Sequence, residues 1–201
     1  MIYVVDDEAV IRASTVSLLR ARGDLATREF PSGAALLAAL DGLEPGCVIL
    51  DLQMDYASGG AVMEALSRRP REFRLIVVTG AGDVEMAVRA FRAGAVDFLD
   101  KPYAMKPLME AIDRALHLLD HGQAPPHALE HARAAMAHLS KAEADLLQEL
   151  IRGRTALEIA ALTGAQERSV QMLRARLLET LEAPSLLAAV RIAMIAGQLH
   201  D

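Results

Sequence analysis

Short apolar runs alternate with longer amphipathic segments over residues 1–121. Most of the apolar runs are rich in β-branched residues and lack polar alternation, which is typical of strands covered on both faces. The segments between them have the length and the apolar spacing of helices. Strands that alternate with helices predict βαβ units and therefore a parallel sheet. The predicted strands are Ile2–Val5, Leu25–Phe30, Cys47–Leu50, Leu75–Val78 and Val96–Leu99, and the predicted helices cover residues 9–21, 33–41, 60–68, 84–93 and 105–119.

The pattern changes in residues 120–127, which contain the pair Pro125-Pro126. Two adjacent prolines indicate a hinge or linker, because proline breaks a helix interior. No strand pattern follows this segment. Ser140 and Glu143 have the spacing of a capping box, which predicts the start of a helix, and Pro184 favours the first position of another. The helices predicted in this half cover residues 140–152, 155–162, 166–181 and 184–196.

These elements predict an α/β fold, a five-stranded doubly wound parallel sheet, followed by a smaller all-α domain. The expected boundaries are 1–121 for the first domain, 122–138 for a partly helical linker and 139–201 for the second domain. A hydrophobic content of 53% is ample for packed cores, and no apolar run is long enough to span a membrane. We see no signal peptide. Cys47 is the only cysteine, which predicts a buried, inert thiol in a reducing cytoplasm.

Chemically active side chains follow the predicted strands. Asp6 and Asp7 follow the first strand, Asp51 the third, Thr79 the fourth and Lys101 the fifth. Since ligands of parallel sheets bind at the carboxyl ends of strands, we expect these side chains to lie together. Three close carboxylates call for a cation, and oxygen ligands favour Mg²⁺. One carboxylate could then attack phosphorus while the hydroxyl and the lysine hold phosphoryl oxygens. Each residue alone is more often structural, so the prediction depends on their order.

Residues 1–121 resemble a receiver domain of two-component signalling, and the last stretch is similar to FixJ-type receivers in particular. The resemblance rests on VVDDEAVIR, VILDLQM and VVTGAGDVEMAVRAFRAGAVDFLDKPY and on the spacing between these segments. It implies that Asp51 accepts a phosphoryl group from a sensor histidine kinase. It also implies that Asp6 and Asp7 hold Mg²⁺ together with Asp51 and the backbone carbonyl of Gln53.

The same resemblance implies how the phosphoryl group is sensed. Thr79 and Lys101 would contact it, and Phe98 would be a switch aromatic, although an ordinary core aromatic fits Phe98 equally well. Phosphorylation would promote a homodimer through the fourth helix, the fifth strand and the fifth helix. Such a chain is no enzyme beyond its own phosphorylation and dephosphorylation. Asp55-Tyr56 replaces the Pro-Gly that receivers usually carry, which could alter metal affinity or acyl-phosphate lifetime.

Residues 139–198 resemble a LuxR-type helix-turn-helix domain. The resemblance rests on the run LSKAEADLLQELIRGRTALEIAALTGAQERSVQMLRARLLETL. It implies that residues 166–181 form a recognition helix that enters the major groove of DNA. Arginine can read guanine or bind phosphate, and glutamine can read adenine. The candidate DNA-binding side chains are Gln166, Arg168, Ser169, Gln171, Arg174 and Arg176.

Three positions depart from that family pattern. Leu157, Leu173 and Thr180 stand where such domains usually carry lysine, histidine and lysine, and neither half of the chain is strongly basic. Fewer cations mean weaker and less salt-sensitive DNA binding. We therefore predict a phosphorylation-dependent transcription regulator. One alternative is a signalling adaptor whose second domain binds a protein through an apolar patch around Leu157 and Leu173, and another is a phosphate relay from Asp51 to a histidine.

Overall fold

The chain forms two compact units, one built on a sheet and one made of helices only. Two residues that the sequence analysis singled out, Asp55 and Pro125, lie outside the described part of the chain. The region predicted as a linker carries a helix of its own, which belongs to the second unit. The computed structural model describes residues 1–23, 25–54, 56–80, 84–122 and 126–197.

The first unit contains a five-stranded sheet in which every neighbouring pair of strands is parallel. Its strands are β1 (Ile2–Val5), β2 (Thr27–Phe30), β3 (Gly46–Asp51), β4 (Phe73–Thr79) and β5 (Ala95–Asp100). Their order across the sheet is β2-β1-β3-β4-β5. Strands β1 and β3 are buried along their whole length, as expected for central strands covered on both faces. The predicted fold class is therefore confirmed.

Helices cover both faces of this sheet. Alternate strand residues such as Ile49 and Ile76 pack with Leu19 and Ile112 of the first and last helices of the unit. The strand residues between them are buried too, and these point to the opposite face, as Leu50 does. The helices that alternate with the strands along the chain are α1 (Ala9–Arg20), α2 (Gly33–Ala39), a short 3-10 helix (Leu40–Gly42), α3 (Tyr56–Ser67), α4 (Val84–Arg92) and α5 (Met105–His121).

Two helix starts differ from the sequence prediction. Helix α3 begins at Tyr56, four residues earlier than expected, because Gly59 and Gly60 are tolerated inside it despite their low helix propensity. The last helix of the chain starts after Ser185, whose side chain accepts a hydrogen bond from the Ala188 N–H. Pro184 was expected at the first helical position. It instead precedes the N-cap residue Ser185, because the Ser185 side chain satisfies a backbone N–H that the first turn of the helix leaves free.

In the described residues, the second unit contains five helices besides residues 84–89 of α4. Helix α6 packs against α10, while α7 packs against α8 and α9. Ser140 with Glu143 forms the predicted capping box of α7, and Thr155 with Glu158 forms an equivalent one at α8. Gly164 ends α8 in a left-handed conformation with φ of 68°. The helices are α6 (Pro126–Ala137), α7 (Lys141–Ile151), α8 (Ala156–Thr163), α9 (Glu167–Thr180) and α10 (Leu186–Ile195).

The environment of Cys47 agrees with the sequence prediction. The side chain is fully buried in the sheet core, and burial raises the pKa of its thiol to about 12. The thiol is therefore protonated and unreactive at neutral pH. None of the described helices is both long and apolar enough to cross a membrane.

Candidate functional site

The three predicted carboxylates meet at the carboxyl edge of the sheet. Asp6 follows β1 and Asp51 ends β3, and these strands are neighbours in the sheet. One carboxylate oxygen from each of Asp6, Asp7 and Asp51 lies within 4.8 Å of the other two. Asp6 and Asp51 are 2% and 1% exposed, whereas Asp7 is open to solvent. Buried carboxylates at this spacing need a positive partner, and their oxygen atoms fit a hard divalent cation.

Lys101 supplies a positive charge to this acidic group. Its Nζ lies 2.6 Å from Asp6 Oδ2 and 2.9 Å from Asp51 Oδ2. Burial opposes the charge on Lys101, but the hydrogen bonds to the two carboxylates outweigh it, so the pKa of Lys101 is raised. The backbone positions the side chain, since the Lys101 N–H donates to the Thr79 carbonyl at 2.7 Å. Lys101 therefore carries a positive charge. Its ammonium group connects the ends of β1 and β3, and its backbone N–H connects to the end of β4.

Backbone donors fix the two buried carboxylates. The Gln53 N–H donates to Asp51 Oδ1 at 3.0 Å, and the Glu8 N–H donates to Asp6 Oδ1 at 2.8 Å. Each carboxylate thus has one oxygen held by the loop that follows its strand and the other held by Lys101. Charge-assisted hydrogen bonds of this kind are stronger than neutral ones, so the oxygens are held in fixed positions.

Thr79 ends β4, the strand next to β3. It is buried, and Val78 just before it is the register partner of Asp51. Gly80 follows, and the side-chain amide of Gln53 lies against it. A Cβ at Gly80 would stand 2.6 Å from Gln53 Oε1, so a larger residue would displace that amide. The structure thus brings Asp6, Asp7, Asp51 and Lys101 together and places Thr79 on the adjoining strand.

Phe98 lies in β5 with its side chain buried. Its N–H donates at 2.9 Å to the side chain of Asp97, which is buried and forms an ion pair with Arg114 of α5. Sequence reasoning missed this pair. The only signal for it was an acidic residue inside a strand that is otherwise mainly apolar.

A second contact missed by the sequence analysis lies beside Lys101. The Tyr103 hydroxyl is 2.7 Å from the Thr15 hydroxyl of α1, and Thr15 in turn donates to the Ile11 carbonyl at 3.0 Å. Burial raises the pKa of Tyr103, so its hydroxyl keeps its proton. This contact ties the loop after β5 to α1. An aromatic residue two positions after the lysine was the available signal.

The predicted DNA-binding residues lie at the start of α9 and along it. Gln166 is the N-cap residue, and Arg168, Ser169 and Gln171 are exposed. Arg174 is half-buried. Arg176 is exposed, and its charge, after the larger effect of the hydrogen bonds from Ser140, also lowers the pKa of Glu143, so it lies near that carboxylate.

The three departures from the family pattern have different environments. Leu157 is 65% exposed on α8. Leu173 is half-buried and lines an apolar pocket of about 320 Å³ between α7, α8 and α9. Thr180 donates to Glu143 Oε1 at 3.1 Å, so its side chain is engaged within the unit. Of the three, only Leu157 thus presents a freely accessible apolar side chain.

The parallel sheet, its strand order and the acidic group at its carboxyl edge define a receiver-type α/β domain. Residues 2–113 match the family model described as response regulator receiver domain. The chain is 34% identical to the transcriptional regulatory protein FixJ of Bradyrhizobium diazoefficiens over 100% of its own length and 97% of that protein. It is 33% identical to the C4-dicarboxylate transport transcriptional regulatory protein DctR of Rhodobacter capsulatus, covering 95% and 98% of the two chains.

A solved structure gives the same result. Full-length FixJ from B. japonicum superimposes with a TM-score of 0.55 at 33% identity, covering 99% of this chain and 98% of that one. The likeness includes both units and the segment between them. The chain therefore belongs to the response regulators with a receiver domain, and to the FixJ type among them.

Proposed function

We propose that this chain is a transcription regulator switched by phosphorylation of Asp51, with a sensor histidine kinase as the donor. The observation that carries the proposal is the position of Asp51. Its buried carboxylate lies beside Asp6 and Asp7 and 2.9 Å from the charged Lys101, at the carboxyl edge of a parallel sheet. This arrangement favours attack of a carboxylate oxygen on phosphorus. FixJ and DctR are named as transcriptional regulators, which supports the same output for this chain.

The donor set fits Mg²⁺. Asp6, Asp7 and Asp51 offer three close carboxylate oxygens, and we assign the backbone carbonyl of Gln53 as a fourth ligand. When bound, the ion would neutralise phosphoryl oxygens and lower the repulsion between them and the carboxylates. Asp6 and Asp7 would hold the ion, and Asp51 would provide both a ligand and the nucleophile.

The remaining residues of the site stabilise charge on the phosphoryl group. Asp51 Oδ2 forms the new bond to phosphorus as the bond to the donor breaks, and the donor group leaves with its electron pair. Lys101, now beside Asp51, would move its ammonium group onto a phosphoryl oxygen. The Thr79 hydroxyl on the adjoining strand would donate to another. Hydrolysis of the acyl phosphate by water would return Asp51 to its starting state.

The output follows from a change in packing around β5. Movement of Thr79 toward the phosphoryl group would change the space next to Phe98 and shift an existing equilibrium at the α4–β5–α5 face. We propose that this face forms a homodimer and that α9 of each copy then enters the major groove of DNA. Two linked half-sites raise affinity through effective concentration, which compensates for a recognition helix with few cations. Without a membrane-spanning helix in its described part, the chain fits a cytoplasmic regulator.

One observation favours a second candidate. Leu157 and Leu162 of α8 are 65% and 61% exposed, which would suit a signalling adaptor whose second unit binds a protein. The exposed Arg168 and Gln171 on α9 fit DNA better, because both can reach base edges. We therefore retain DNA as the partner.

Phosphoryl transfer is tested with the full chain, a small acyl-phosphate donor and Mg²⁺, followed by intact mass measurement. We expect one added phosphoryl group in the wild type and none in Asp51→Asn. Asp145→Asn, an exposed aspartate of the second unit, is the matched control and should be labelled like the wild type. Removal of the metal with a chelator should abolish labelling. Normal labelling of Asp51→Asn would refute the proposal.

A further inference from the structure

The packing of α9 defines which of its side chains face outward. Val170 and Leu177 are buried and mark the inner side of the helix. Residues on the opposite side are spaced three or four positions apart, as helix geometry requires. We call this set the outer ridge. All its members are exposed, and they are Arg168, Met172, Ala175 and Glu179.

The outer ridge carries one arginine. Arg174 lies on the flank and is half-buried, and Arg176, though exposed, lies off the ridge near Glu143 of α7. Glu179 places a negative charge at the C-terminal end of the ridge. The N-terminal half of α9 carries the arginine of the ridge, Arg168, together with one acidic residue in its first turn, Glu167. That half is also the part of a recognition helix that contacts base edges.

Met172 is the large apolar side chain of this N-terminal half. It is 56% exposed. A thioether chain without branches adapts to irregular apolar surfaces. The next ridge residue, Ala175, is small and allows the helix to come close to a flat partner. The apolar group that the floor of the major groove presents at a base pair is the C5-methyl group of thymine.

We infer that Met172 is a base-reading residue that packs on the C5-methyl group of a thymine. Arg168, one turn earlier on the same ridge, reads a guanine or pins a phosphate beside it. Part of the specificity of this regulator thus depends on an apolar contact, made by a residue that the polar candidates of the sequence analysis did not include. This inference rests on the proposed function, since it requires that α9 enters DNA.

The experiment removes the methyl group and leaves every hydrogen-bonding atom in place. The phosphorylated full chain first selects a duplex from a random library. Each thymine of the selected site is then replaced singly by deoxyuridine, and dissociation constants are measured at one fixed salt concentration. Burial of one methyl group predicts a loss of about fourfold in affinity at the thymine that Met172 contacts. In Met172→Ala the thymine and deoxyuridine duplexes should bind equally.

Two further variants test whether the thymine preference depends on the apolar side chain of Met172. Met172→Leu keeps an apolar side chain and should retain most of the thymine preference. Leu162→Ala removes an apolar side chain of similar exposure from α8 and should leave the fourfold difference unchanged. Thermal unfolding of Met172→Ala should match the wild type because the side chain packs on little else.

Failure of this inference and failure of the proposed function give different results. The role of Met172 is refuted if the chain selects a DNA sequence but no thymine-to-deoxyuridine replacement lowers its affinity. It is also refuted if Met172→Ala shows the same loss of affinity on that replacement as the wild type. Either result leaves DNA binding intact. A phosphorylated chain that selects no sequence overturns both and leaves the outer ridge as a surface for a protein partner.

Discussion

The ion pair between Asp97 and Arg114 provides the most direct prediction about folding stability. Asp97 is buried, so replacing Arg114 by methionine would remove a counter-charge from a carboxylate that has little access to water. Removing one partner of a buried pair costs about 3–5 kcal/mol. The Arg114 side chain is 31% exposed, and water relieves part of this cost, so we expect a loss of about 2–3 kcal/mol.

Hydrogen exchange of the full chain, followed by peptide mass spectrometry, localises the effect. Slowly exchanging amides of β5 and α5 should exchange about 30 to 140 times faster in Arg114→Met, since each 1.4 kcal/mol is a factor of ten. Peptides from α7 to α9 serve as an internal control and should not change.

Two comparison variants test the cause. The double variant Asp97→Asn with Arg114→Met removes both charges of this pair and should recover most of the protection. Arg68→Met breaks an exposed pair with Glu64 and should change little. If Arg114→Met left exchange in β5 unchanged, or if the double variant were as unstable as the single one, the reasoning about the lost counter-charge would be wrong.

Three further predictions concern packing, capping and pH. Gly46→Ala should destabilise the first unit by about 1–3 kcal/mol in urea unfolding, because its Cβ would lie 2.5 Å from the Met1 carbonyl oxygen, whereas Gly42→Ala has open space and should not. Thr155→Ala removes the side-chain cap of α8 and should lower the stability of the second unit by about 1 kcal/mol, measured as a fall in its melting temperature. Hydrogen bonds from Ser140 hold the pKa of Glu143 in the folded protein below its ordinary value of 4.5. The ionised Glu143 therefore stabilises the fold above about pH 4.5, and this stabilisation is lost as the pH falls through the lowered pKa of the folded state. Thermal unfolding between neutral pH and about pH 3 should therefore show a smaller acid-induced loss in Glu143→Gln than in the wild type, and an equal loss would contradict the assignment.

Most of the sheet could be predicted because its strands are nearly continuous apolar runs. The parallel order then required Asp6, Asp51 and Lys101 to meet at one edge, and the structure brings them together. Those inferences needed only the period of the pattern and the direction of the strands.

The features that could not be predicted depend on tertiary contacts, which no local sequence pattern encodes. The start of α3 at Tyr56 was missed because Gly59 and Gly60 have low helix propensity, which packing overrides. The ion pair of Asp97 and Arg114 joins two elements, and the sequence shows only two charged residues in mainly apolar surroundings. Arg176 was predicted to bind DNA from its residue type and its place in the recognition helix, and its proximity to Glu143 emerges only when α9 packs on α7.

The central claim is that phosphorylation of Asp51 controls DNA binding. The most direct test is the affinity of the full chain for its selected duplex, with and without a small phosphodonor and Mg²⁺, at one stated salt concentration. We predict that the wild type binds more tightly after phosphorylation and that Asp51→Asn shows no change. Equal affinity of the phosphorylated and unphosphorylated wild type, or a gain in Asp51→Asn equal to that of the wild type, would contradict it.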